Sequence, residues 1–108
     1  SAEAEADGVL VDVSAYARGL GVPVTFVTAA FLAQGYLDGA PPGSPDGALR
    51  LRVPNLLDVL RHVRHVLRTQ PADWLYTTTL EGPDGQSLRV WIEQNETGTY
   101  TVLRPEDY

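Results

Sequence analysis

Asp58, His62 and His65 are the residues whose types and spacing come closest to a metal site. Steps of four and three residues put them on one side of a helix, and imidazole nitrogens with a carboxylate are ordinary ligands of a divalent metal. The same helix turns its apolar stripe the other way, so the trio is expected in water, with nothing behind the imidazoles to orient them. A solvated polar face is the plainer reading, and no metal or other cofactor is expected. Nucleophilic chemistry has less to work with. The chain contains no Cys and no Lys, and its four Ser residues stand apart, at the first position, before a short helix, in a loop and at a strand start. It has no Gly-x-Ser-x-Gly and no glycine loop that would cradle a phosphate. An enzyme is not expected.

Two other groups suit a partner rather than a reaction. Trp91 falls between Thr77 and Leu103 on the sheet face turned away from the main helix, and a Trp among small polar residues is a common anchor for another protein. The plainer alternative is that the N-terminal third covers this face as a second layer. Arg61, Arg64 and Arg68 lie within about 60° of one another on the helix, a ridge whose guanidinium groups could hold carboxylates in pairs of bonds. Here the plainer reading is a solvated flank near the helix C-terminus.

These residues have to be positioned by a small number of elements. Leu56, Val59, Leu60, Val63, Val66 and Leu67 share an arc of about 120° at 100° per residue, which predicts an amphipathic helix over 56–69. Asn55 is its expected N-cap, and Pro71 lies just past its end. The last third alternates with period two, predicting an antiparallel meander with strands at about 73–81, 86–94 and 99–104. Gly82-Pro83-Asp84-Gly85-Gln86 suits a type I turn closed by Gly85, and Glu96-Thr97-Gly98 turns the same way. Both turns choose one register, with Leu80 opposite Leu88, Tyr76 opposite Ile92 and Ile92 opposite Val102. That register turns Trp74, Tyr76, Leu80, Leu88, Val90, Ile92, Tyr100 and Val102 toward the helix. Upstream, Val9 to Val13 reads as a short strand, with Ser14 as N-cap of a helix to Leu20. Val24 to Val27 reads as a second brief strand, and Thr28 as N-cap of a helix to Leu37. The stretch 38–48 carries three Pro and three Gly in eleven residues and reads as a mobile surface loop. The expectation is one α+β domain over 1–108: a three-stranded antiparallel meander on one main helix, with a short N-terminal strand and two short helices.

Composition narrows the setting. Of 108 residues, 44% are hydrophobic, enough for one core without staples. The absence of Cys suits a reducing cytoplasm. No apolar run approaches the roughly 18 residues of a membrane span, and nothing at the N-terminus resembles a signal peptide. A chain beginning at Ser1 with no Met is expected to have lost its native start. Fourteen acidic against eight basic residues give a net charge of −6, which repels phosphate and argues against general nucleic-acid binding. The last strand, Thr99 to Arg104, is expected either as a free edge, through which a homodimer could form, or as one shielded by the Val9 to Val13 strand.

The block Asp7-Gly8-Val9-Leu10-Val11-Asp12-Val13-Ser14, with Ala17-Arg18, Gly21, Pro23-Val24, Val27-Thr28 and Leu57-Asp58-Val59-Leu60, resembles an uncharacterised family of small proteins encoded by bacteria, plasmids and phages. That family carries no assigned activity, cofactor or catalytic residue, and often has Trp where this chain has Leu57. What the resemblance implies is an association with mobile elements. The expected function is a small accessory domain that binds another protein, an acidic inhibitor of a host protein being its most specific form. The alternative is a small-molecule-binding or enzymatic domain with a site between the 38–48 loop and the sheet.

Overall fold

The computed structural model describes residues 10–37 and 51–107. The tail at 1–8 and the 38–48 loop lie outside the described residues. In chain order the elements are β1 (Leu10–Asp12), α1 (Ser14–Leu20), β2 (Val24–Thr28), α2 (Ala29–Leu32), α3 (Val53–Thr69), β3 (Leu75–Glu81), β4 (Ser87–Gln94), β5 (Tyr100–Leu103) and a 3-10 turn, Pro105–Asp107. The class is α+β. The meander is embedded in a five-stranded sheet of order β1-β2-β5-β4-β3.

The expected register holds at every pair named from the turns: Leu80 opposes Leu88, Tyr76 opposes Ile92, and Ile92 opposes Val102. Gly85 (φ 81°) and Gly98 (φ 82°) take the left-handed conformation that closes each turn. The Gly82 N–H donates to the Gln86 carbonyl at 2.7 Å, and the Asn95 N–H to that of Thr99 at 2.8 Å. On the inner face Tyr76, Val90, Ile92 and Val102 meet Leu56, Val59, Leu60, Val63 and Val66 of α3 in one buried cluster. Fully burying such a side chain contributes roughly 1.5–3 kcal/mol.

Several local expectations are corrected. Strand β5 is not a free edge, and the strand that shields it is β2 rather than the one at Val9 to Val13: β2 pairs with it in parallel, aligning Val27 with Val102, and β1 pairs antiparallel with β2. Strands β1 and β2 therefore widen the sheet. Period-two alternation records which face a residue takes, not which strand lies beside it. Trp74 does not join the inner face but is 55% exposed. Strand β3 begins only at Leu75, and behind it Tyr76 packs edge to face on Tyr100 at 5.8 Å.

Helix ends shift as well. α3 starts at Val53 with Pro54 in its first turn, where a missing N–H costs no bond, so Asn55 lies inside the helix. Ser14 is the first residue of α1 rather than its cap. The Asp12 carboxylate accepts from both the Ser14 N–H (2.8 Å) and its hydroxyl (2.6 Å), which holds Asp12 below its ordinary pKa. Thr28 does cap α2, accepting from the Phe31 N–H at 3.2 Å. However, α2 ends at Leu32, because Gly35 turns the chain at φ 110°. A Cβ there would stand 3.1 Å from Cγ of Pro83, so Gly35 lets the β3–β4 turn approach closely.

Candidate functional site

The two flanks of α3 decide what the polar residues do. His62 is half-buried, and its Nε2 lies 3.1 Å from Oγ1 of Thr78 on β3. Burial, with a smaller contribution from His65, lowers its pKa, so it is neutral near pH 7. The expectation that the whole trio faces water is thus corrected for His62. Asp58 and His65 are exposed, and among the described residues no three His, Cys, Asp or Glu side chains are placed to share a metal ion. The arginines also separate. Arg61 bonds Asp58 at 2.9 Å, and Arg64 donates to the Leu20 carbonyl at 3.1 Å, tying α3 to the end of α1. Arg68 is exposed in the last turn of the helix.

On the far face of the sheet, Trp91 stands between Thr77 and Leu103, as the register requires. Thr77 is exposed, Trp91 half-buried, and Leu103 only 1% exposed. These three form a partly covered surface, against which the 3-10 turn packs at β4.

The open side of the sheet, among the described residues, is elsewhere. Among the described residues β3 pairs with β4 alone and so is a sheet edge. The Gln94 N–H donates to the Trp74 carbonyl at 2.7 Å, and the Gly82 N–H donates to Gln86. Even-numbered positions therefore bond across to β4, since hydrogen-bonded and non-bonded pairs alternate along an antiparallel ladder. The peptide groups of Leu75, Thr77, Thr79 and Glu81 point outward. Trp74, at the entry to this strand, is the one exposed large hydrophobic residue among those described.

Beside the far end of the same edge lies a cleft of about 420 Å³, between the first half of α3 and the β3–β4 turn. Asp58 and His62 line it from the helix, Thr79, Glu81 and Pro83 from the hairpin, and Tyr36 from the segment after α2. Gly35 positions Tyr36, whose ring stacks on Phe31 at 5.3 Å. Asn55 steadies the same turn, its amide nitrogen donating to the Gly35 carbonyl at 3.3 Å. Tyr36 is 2% exposed, yet no described group is hydrogen-bonded to its hydroxyl. Because no side-chain oxygen or nitrogen among the described residues is both fully enclosed and unpartnered, that hydroxyl must open on the cleft. Burial first, and the Asp58 carboxylate second, push its pKa up to about 12. It is a standing hydrogen-bond donor at any physiological pH.

The sequence alone missed the Tyr36 cleft and Trp74. No family model matches the chain, and no curated protein or solved structure gives a match.

Proposed function

We propose that the chain is a small accessory domain that acts by binding another protein, through the open long edge of its sheet. One observation carries this reading: Trp74 stands 55% exposed at the entry to a strand whose outward peptide groups have no partner among the described residues. An exposed indole beside unused backbone donors and acceptors supplies an anchor and a template together. The net charge of −6 supports a basic partner. The resemblance of the N-terminal block supports a role on mobile elements, with inhibition of a nucleic-acid-binding host protein as its sharpest form.

Affinity capture from a bacterial lysate, run with the wild-type chain and with Trp74→Ala and Trp91→Ala, tests the surface. Trp74→Ala should lose the captured protein while melting at the wild-type temperature. Loss with Trp91→Ala alone would move the contact to the opposite face. A second reading, a small-molecule or enzymatic site, is favoured by the cleft at Tyr36. A metabolite that raises the melting temperature, and does so less in Tyr36→Phe, would support it.

A further inference from the structure

We propose that the edge of β3 takes an extended segment of a basic partner protein as a sixth strand, and that an Arg or Lys of that segment seats in the cleft between α3 and the β3–β4 turn. This rests on the protein-binding reading and gives that contact its chemistry. Four residues, Leu75, Thr77, Thr79 and Glu81, direct their N–H and C=O groups outward, enough to fix an added strand along the whole edge. Sheet edges are commonly blunted by Lys, by Pro or by a bulge. β3 has none of these, and its exposed outer side chains are Thr77, Thr79 and Glu81.

The cleft gives the added strand a preference. Glu81 lines it and has no cationic partner among the described residues, whereas the charge of Asp58 is shared with Arg61. His62, held neutral, offsets neither carboxylate. The Tyr36 hydroxyl, open on the cleft and without a hydrogen-bond partner among the described residues, offers one more oxygen to a guanidinium or ammonium group. A second copy of this chain is a poorer occupant, since each carries −6 and would bring its own carboxylates to the shared edge.

The probes are two capped, fluorescein-labelled peptides of seven residues, alternating Thr and Val, one with a central Arg and the other with a central Glu. Anisotropy titrations at low salt should show the Arg peptide binding at least about tenfold more tightly. Amide shifts should concentrate at Leu75, Thr77, Thr79 and Glu81. Thr79→Pro removes one outward N–H without touching the ladder to β4, so it should abolish binding in a folded domain. Glu81→Gln and Tyr36→Phe should each weaken the Arg peptide about three- to tenfold and leave the Glu peptide unchanged. Equal binding of the two peptides, binding that survives Thr79→Pro, or failure of both to bind would overturn the proposal. Protein capture that still depends on Trp74 would then leave the broader reading standing on another contact mode. A dimer in sedimentation equilibrium that Thr79→Pro dissolves would also overturn it, by naming a second copy as the occupant.

Discussion

His62 and Arg64 sit about 40° outside the two borders of the apolar arc, His62 beyond Val66 and Arg64 beyond Leu60. A side chain that close to a buried stripe meets whatever packs beside the helix. β3 lies on one flank, and there His62 meets Thr78; the end of α1 lies on the other, and there Arg64 meets the Leu20 carbonyl. That angle was legible in the sequence, but the neighbours were not, because they arrive from 44 residues upstream and 16 downstream. The consequence for His62 can be measured. Its folded pKa is depressed, so its contribution to stability is present above the ordinary value of 6.5 and is lost as pH falls through the folded value. Urea midpoints should drop more between pH 8 and pH 5 in wild type than in His62→Gln. An equal drop in both would place His62 in water. Tyr36 has the opposite sign, with a folded pKa raised from 10.0 to about 12. Its stabilising contribution is complete below pH 10 and disappears between pH 10 and 12. Tyr36→Phe should flatten the alkaline limb of the stability profile, though not remove it, since Tyr100 is also raised.

Elements were legible wherever local chemistry decides them. Gly85 and Gly98 each close a turn that only a residue tolerant of positive φ can close, and the hydrophobic alternation then leaves one register. The α3 stripe is equally local. The parallel pairing of β2 with β5 was not legible, because nothing in either segment records a neighbour more than 70 residues away. It is held partly by Oγ1 of Thr25 and of Thr99, 2.6 Å apart. Gly35 is intermediate. Its presence in a helical pattern was visible, but that it ends α2 to admit Pro83 became clear only with the hairpin in place. Gly35→Ala should therefore cost about 1–3 kcal/mol, from a positive φ and a Cβ crowding Pro83. It should also move Tyr36 relative to the cleft. A denaturation midpoint equal to wild type would show that the turn relaxes without cost. Within β3, parity makes a sharper forecast. Thr77→Pro should fold, because its N–H faces outward, whereas Thr78→Pro should lose about 3 kcal/mol or more by removing a ladder bond and the Thr78 contact of His62. Similar melting temperatures for the two variants would contradict the assigned edge.

On the proposed reading, charge and edge divide the labour of binding at the scale of the whole molecule. A net charge of −6 acts over the Debye length, about 10 Å at 0.1 M salt, and so acts mainly on encounter. Strand pairing and burial of Trp74 act only after contact and set how long the complex lasts. The two contributions can be separated by kinetics with the captured partner. Raising salt from about 0.05 M to 0.5 M should lower the association rate about tenfold or more and leave dissociation nearly unchanged. Trp74→Ala should instead raise the dissociation rate and leave the salt dependence of association intact. If association ignored salt while Trp74→Ala slowed it, the acidic surface would be no more than a means of solubility, and recognition would begin with the indole.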